Sequence, residues 1–452
     1  MTDASTTTEN LEEDRKARLA RVQKRTMTVL IITQIVGTLG LGVAPTIAVI
    51  LAGAVMESEA WAGLARTTST LGAALFGIPL GNLAAKFGRR IALSTGWWLA
   101  AVGTAILIWA AQFHLAIPLF LGLTLLGAGS AASLQSRFSS TDLAEPRNKA
   151  RSLALIVWVG TIGSVIGPNI GVPGKVVGEW IGLDLYAASF LLATGFLIIA
   201  GFVIFILLRP DPLLTLMENS PTAQVKTRKT GSIRNAIEEL KRNKVARIAV
   251  IAIIISQVVM ASIMTMTPVH IQHETNSIEL VGITISFHVL GMFAFSPLVG
   301  WVVDRFGHRF SMWIGFSIFV VALVLAAVVP HSMVFIMASL FCLGLGWSFV
   351  SIAGAALFTT AVSDEARATS QGGVDAMSNL LGALASFLAG PLLALTNFSA
   401  LSIMAMFVLA PLGLILLRRI PAINMDHLED KPVEHSDESL AEAIAETEAE
   451  QK

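Results

Sequence analysis

The sequence predicts an all-α membrane protein in which twelve transmembrane helices form two pseudo-symmetric six-helix bundles. Three observations carry this. Of 452 residues, 54% are hydrophobic and only 14% charged, far more apolar than an average soluble protein. Uncharged runs of roughly 20 residues recur along the chain, each long enough to cross ~30 Å of hydrocarbon as a helix and too long for a barrel strand. Finally, a ten-residue stretch at positions 81–90 has a counterpart at 300–309.

Residues 1–26 form a polar N-terminal segment. Positions 1–14 are rich in Thr, Glu and Asp and are expected to be disordered, whereas Arg15, Lys16, Arg18, Arg21, Lys24 and Arg25 make a basic approach to the first helix. That first apolar run is too long for a signal-peptide core and lacks a clear cleavage site, so it is expected to stay as a span. Six spans at 27–52, 61–81, 91–111, 117–137, 152–171 and 184–208 build a first bundle over 27–208. The linker 209–247 opens on Arg209-Pro-Asp-Pro and ends in Ser232–Arg247, which reads as a basic amphipathic helix on the membrane surface. Six further spans at 248–269, 280–301, 311–330, 333–360, 371–393 and 399–417 build a second bundle over 248–418. An acidic, solvated tail, 419–452, closes the chain.

Lysine and arginine set the orientation. With both termini inside, all but Arg66 and Lys175 of the 31 Lys and Arg fall in cytoplasmic segments, which predicts a multi-pass protein of the inner membrane. A single cysteine, Cys342, excludes an internal disulfide and a cysteine-based metal cage. No nucleotide loop, nucleophile triad or metallohydrolase motif stands out, so an enzyme is not expected. Nor is a prosthetic group or a nucleic-acid partner; the expected surroundings are the bilayer and a small solute or metal ion, with the chain as a monomer.

The repeat joins Gly81-Asn-Leu-Ala-Ala85-Lys86-Phe87-Gly88-Arg89-Arg90 after the second span to Gly300-Trp-Val-Val-Asp304-Arg305-Phe306-Gly307-His308-Arg309 after the eighth. Two parallel halves in one membrane suggest a transporter with its site near the midplane between them. The pattern Gly-x-x-x-Asp-Arg-x-Gly-Arg-Arg resembles the signature of the major facilitator superfamily, and the six-plus-six layout extends the resemblance over nearly the whole chain. The resemblance implies that each loop latches a cytoplasmic gate, its aspartate facing the positive end of a helix in the other half. Ala85 and Lys86 depart from that pattern, so the first latch is expected to be weak and the second, through Asp304, Arg305 and Arg309, complete. On the fifth span, Gly163-x-x-x-Gly167-Pro168-x-x-Gly171 resembles an antiporter signature of the same superfamily, with Val172 in place of its closing glycine. Small residues at this spacing also let helices pack closely, so both readings stay open.

Four soft or borderline ligands stand on the seventh and eighth spans. Met260 and Met264 are one turn apart, as are His288 and Met292, so each pair shares a helix face. Counted from the outer hairpin, Met260 and His288 both lie some 12–14 Å deep. Thioethers and imidazole favour Cu(I) over hard cations. The spacing alone selects nothing, since Met333/Met337 and His308/Met312 repeat it and methionine also fills gaps in apolar helices. The pairing resembles, however, a bacterial branch of the superfamily that imports copper for cytochrome oxidase assembly. That resemblance implies copper as the transported substrate, contacted by Met260, Met264, His288 and Met292. Relatives of that branch are associated with other substrates, including riboflavin.

Further candidates are the charges within spans, Arg66 and Asp375, as coupling groups. Gln34, Gln135, Asn169 and Gln257 are candidates to line a cavity. His114, His270, His273 and His331, with Met56, Glu57 and Glu59, are expected at outer loops, where they would make a loose collar collecting cations. The reading is a secondary active transporter working by alternating access, most simply for copper uptake, driven by an ion gradient or by facilitation. The alternatives are a proton-coupled carrier or exporter of a small organic molecule, riboflavin-like or drug-like, and a membrane sensor that moves nothing.

Overall fold

The computed structural model describes residues 2–58, 61–145, 148–219, 237, 240–241, 243–362 and 364–417, with the backbone alone at 2–13, 149–150, 219 and 364–372. The regular elements among the described residues are all helical. Eleven helical stretches are long and apolar enough to cross a membrane. One of them, Ala62–Gln112, is broken at Gly88 by a non-helical φ of 89° and ψ of 171°, so the chain crosses twelve times.

Span 1 runs as a helix over Thr2–Leu41, passes through a wide π turn at Ala44–Ala48, where Pro45 supplies no N–H, and finishes at Val49–Val55. The helix thus covers the stretch expected to be disordered. Its order of Glu and Asp first and Arg and Lys afterwards places acidic residues near the positive helix end, and Asp14 stands four residues before Arg18. Spans 2 and 3 are the two arms of Ala62–Gln112, and span 4 is Ala116–Ser139. Span 5 is Lys149–Ile166 continued through a tight 3₁₀ turn, Gly167–Ile170, into Gly171–Ile181. Span 6 is Leu185–Leu207, begun by Asp184, whose carboxylate accepts the Tyr186 N–H as a cap.

A short helix, Pro212–Asn219, follows span 6; most of the expected surface helix and the whole acidic tail fall outside the described residues. Span 7, Lys244–Thr275, starts under Asn243, whose Oδ1 accepts from Val245 and Ala246, and stops at Asn276 in the left-handed conformation. Span 8 is Ile278–Phe293 and, after a two-residue break, Ser296–Phe306. Spans 9 to 12 are His308–Val328, Met333–Ala361, Asp364–Leu395 and Phe398–Leu417.

Two apolar cores result. One gathers side chains from Val29 to Leu208, the other from Val245 to Leu416. They interlock at one end only: Val49, Ile50 and Ala62 belong to the second core, and Ile278 packs on the first. We call that end the far face. The opposite end, which carries the turns at Gly88 and Gly307, is the basic face.

Candidate transport site between the bundles

Two seams join the bundles in the far half. In the first, Gly63 of span 2 is pressed against the Ser386 carbonyl of span 11, and any side chain at Gly63 would strike it. One turn on, the Thr67 hydroxyl donates to the Ala383 carbonyl at 2.8 Å. Ser386 is held from the other side by Thr265 of span 7, hydroxyl to hydroxyl at 3.0 Å. In the second seam, the 3₁₀ turn aims Asn169 of span 5 at span 8. Its Nδ2 donates to Ser286 Oγ at 2.7 Å, and the Ser286 hydroxyl donates to the Val165 carbonyl at 2.5 Å. Gly282 permits this approach, because a Cβ there would lie 2.8 Å from Asn169 Oδ1.

The antiporter-like glycines are all at crossings. Gly163 abuts the Thr38 hydroxyl and Gly167 the Gly42 backbone, both on span 1; Gly171 abuts Ile278 of span 8, and the Pro168 carbonyl lies beside Gly282. The motif therefore holds span 5 between span 1 and the other bundle.

Towards the basic face the bundles part. Asp375 and Asn379, one turn apart on span 11, are both exposed. A carboxylate is not left against lipid, so this face meets water. Across from it, Arg137 of span 4 lies within electrostatic reach of Asp375 without forming an ion pair. Its Nε is buried with no partner among the described residues. Sequence reasoning missed Arg137 by assigning it to a cytoplasmic segment. Between the two levels, Trp347 Nε1 donates to Gln257 Oε1 at 2.9 Å and meets Phe293 edge-on at 6.0 Å. In the first bundle Gln34 Nε2 donates to Ser133 Oγ at 2.6 Å and Gln135 Nε2 to the Gly77 carbonyl at 3.1 Å. Arg66 is part-buried in the far half of span 2.

Of the four soft ligands, Met260 and Met264 are buried in the core of the second bundle, and Met292 packs against the same core. His288 is fully buried. Its Nδ1 pairs with the Leu340 carbonyl of span 10 at 2.9 Å, which leaves Nε2 buried without a hydrogen-bond partner among the described residues. Among the described residues no three His, Cys, Asp or Glu side chains come together in a way that could hold a metal ion.

The two repeat turns share one backbone. Gly88 has φ 89° and ψ 171°, and Gly307 has φ 84° and ψ 162°, a region open only to glycine. Around Gly88 the turn is filled. Arg89 pairs with Asp142 at the end of span 4 through Nε at 2.8 Å and Nη2 at 3.1 Å, a two-pronged bond. The Asp211 carboxylate accepts the Arg90 N–H at 2.7 Å and caps the following helix through Leu213 and Leu214. With Ala85 in the aspartate position, Asp211 of the same bundle supplies the carboxylate. The signal was the Asp of Arg209-Pro-Asp-Pro, read only as the opening of the linker. In the second turn, Arg309 donates to the Leu416 carbonyl at the end of span 12. Asp304 and Arg305 are exposed, with no hydrogen bond or ion pair among the described residues. The contact expected of a complete latch is therefore not made among the described residues. Gly81 and Gly300 flank the turns with open space or a distant neighbour.

The expected histidine collar divides. His331 pairs with Glu274 at 3.0 Å, and His270 Nε2–H donates to the Pro330 carbonyl at 2.7 Å while the ring stacks on Phe398 at 4.3 Å. His273 is near both. His114 sits apart, exposed at the end of span 3, because its loop joins spans 3 and 4 of the first bundle. A far-face cleft of about 480 Å³ lies between the bundles, with Glu57 and Tyr186 on one wall and Gln272 and His273 on the other.

The sequence matches the family model for the Major Facilitator Superfamily over residues 26–276 and 249–445. It is 34% identical to the uncharacterized MFS-type transporter YdeG of Bacillus subtilis over 404 residues, 88% of this chain and 91% of that protein. It is 29% identical to the riboflavin transporter RfnT of Brucella anthropi, over 83% of this chain and 90% of that protein. The crystal structure of the nucleoside transporter NupG superposes with a TM-score of 0.67 at 16% identity, over 88% of this chain and all of that one. An auto-inhibited peptide transporter of the POT family superposes with a TM-score of 0.63 at 13% identity, over 91% of this chain and 98% of that one. These relatives lend the finer resemblance to copper importers no support. On the extent of the family match and of the identity to YdeG, this chain belongs to the Major Facilitator Superfamily of membrane transporters.

Proposed function

We propose that the chain carries a small organic solute across the membrane by alternating access, with its basic face in the cytoplasm. The observation that carries the reading is the asymmetry of the bundle contacts. The seams at Gly63–Ser386 and Asn169–Ser286 lie in the far half, whereas Asp375 and Arg137 face one another unpaired in the basic half. Such an arrangement is one end-state of a rocking carrier whose site lies beneath the closed seams. The excess of Lys and Arg on the open side supports a cytoplasmic mouth. Amide, hydroxyl and indole groups at Gln34, Ser133, Gln257 and Trp347 suit an organic solute with several polar atoms. Likeness to a riboflavin transporter and a nucleoside transporter points the same way, although fold alone does not name a cargo.

A copper reading keeps one specific observation, the partnerless Nε2 of His288. Against it, Met260 and Met264 are committed to an apolar core. The test is uptake into vesicles reconstituted with the purified protein, with an imposed proton gradient and riboflavin, uridine or copper as probe. Saturable uptake of an organic probe, with copper entry no faster than into protein-free vesicles, is expected. Copper uptake that disappears in M260A and H288A, without organic flux, would decide for the metal.

A further inference from the structure

We propose that Arg66 is the docking point for a carboxylate or phosphate on the transported solute, so that the cargo is an organic anion. The proposal rests on the carrier reading above and names the chemical class of its solute.

Arg66 sits inside the first seam. Gly63, three residues before it, meets the Ser386 carbonyl, and Thr67, next to it, donates to the Ala383 carbonyl. Its side chain is part-buried, yet it makes no hydrogen bond or ion pair among the described residues. Of the acidic groups in the described spans, Asp375 acts on Arg137 in the basic half and Glu274 pairs with His331 at the far face, and none forms an ion pair with Arg66. The group of the second bundle that Arg66 does act on, His288, is a base and offers no negative charge. An arginine keeps its proton in a protein, so neutralising itself is not open to it. A fixed cation in a span costs free energy unless a counter-charge or water meets it. The missing counter-charge is one that the solute can bring.

Span 2 also provides the approach. Positions 66, 70, 73, 77 and 81 follow one side of the helix, and below Arg66 they are Thr70, Ala73, Gly77 and Gly81. A Cβ at Gly77 would meet nothing within 4 Å. The residues on this line between the basic end of span 2 and Arg66 are all small. The planar fork of the guanidinium presents paired N–H donors, which match the two oxygens of a carboxylate or phosphate. When the bundles rock the other way, Gly63 and Thr67 leave span 11 and Arg66 is bared to the far side. The same residue thus meets the solute from either mouth.

The experiment compares wild type, Arg66→Lys and Arg66→Gln, purified, with affinity read from ligand-dependent melting. The probes are matched anion and neutral pairs: riboflavin 5′-phosphate with riboflavin, nicotinate with nicotinamide, and benzoate with benzamide. In at least one pair the anion is expected to bind wild type tenfold or more tightly than its neutral partner. That preference should fall below twofold in Arg66→Gln and partly return in Arg66→Lys. Equal binding within every pair, binding of no anion, or a preference that survives Arg66→Gln overturns the proposal. If Arg66→Gln does not fold, the wild-type preference and its weakening in Arg66→Lys decide instead. Vesicle flux separates the two levels of the reading. Transport of a neutral solute untouched by Arg66→Gln removes the anion and leaves the carrier, whereas no flux of any probe removes both.

Discussion

Gly88 and Gly307 occupy equivalent places in the two halves and share a backbone conformation that other residues avoid, but their surroundings differ. A Cβ at Gly88 would run into the Asp211 carboxylate, whereas one at Gly307 would meet nothing within 4 Å. Backbone strain alone costs about 1–3 kcal/mol at either place. G88A should therefore lower the melting temperature clearly more than G307A, because it also displaces an acceptor used by three backbone N–H groups. Adding D211A to G88A should cost little more, since the carboxylate is already displaced. Equal losses in G88A and G307A, measured by thermal unfolding in detergent, would show that Asp211 does not hold the first turn. The pairing of Arg89 with Asp142 belongs to the same turn, and both side chains are largely buried, at 15% and 9% exposure. D142N should cost about 1.5–3 kcal/mol of stability, the range for a hydrogen-bonded charge left without its partner. Unchanged melting of D142N would make the pair a surface ornament.

At the scale of the helix, close approach of backbones sets the geometry, and it can be tested by contrast. Gly167 lies against the backbone of Gly42 in span 1, while a methyl group at Gly195 of span 6 would meet nothing within 4 Å. G195A should raise stability by about 0.5–1 kcal/mol, the usual gain from replacing a helical glycine. G167A should lower it, because span 1 would have to move away from span 5. A gain in both would show that the crossing tolerates a methyl group. The same contrast explains what could be read from the sequence. The twelve spans were legible because an uncharged run of membrane length has few alternatives, and their repeat at Gly81 and Gly300 was legible as letters. The turn at Gly88 was placed correctly even though it interrupts one continuous 51-residue helical stretch. Which face a side chain uses was not legible, since lipid and bundle core are both apolar and leave little periodic signal. Met260 and Met264 share a helix face as expected, but nothing in their spacing distinguishes a pathway from a core. Arg66 stood out as a charge in a span, whereas its lack of a counter-ion among the described residues emerged only with the fold. Arg137 and Asp375 are far apart in sequence, and only the docking of two bundles brings them within reach.

For the whole molecule, the far seams and the parted basic face are two readings of one equilibrium, and the seam at Gly63 is its narrowest point. A side chain there cannot be accommodated by a rotamer change, because the opposing atom is the Ser386 carbonyl of the span 11 backbone. Overpacking of this kind typically costs about 1–3 kcal/mol. Borne by the closed-far state alone, that cost moves the balance of the two states by about 5- to 150-fold. G63L should therefore populate a state with the far face open, and it should do so without touching the cores that stabilise each bundle. Spin labels at Ser58 and Asn397 would follow the far face, and a pair at Thr141 and Phe306 the basic face, in a background with Cys342→Ser. In G63L the first distance should lengthen and the second shorten together, since rigid bundles rocking about a shared axis cannot open one face without closing the other. Closing the basic face should also bring Asp304 towards the opposite half, so D304N should weaken the G63L shift while leaving the wild-type distances unchanged. Lengthening at the far face with no change at the basic face would mean that the seam peels locally. The two bundles would then not move as bodies, and a rocking carrier would be the wrong description of this chain.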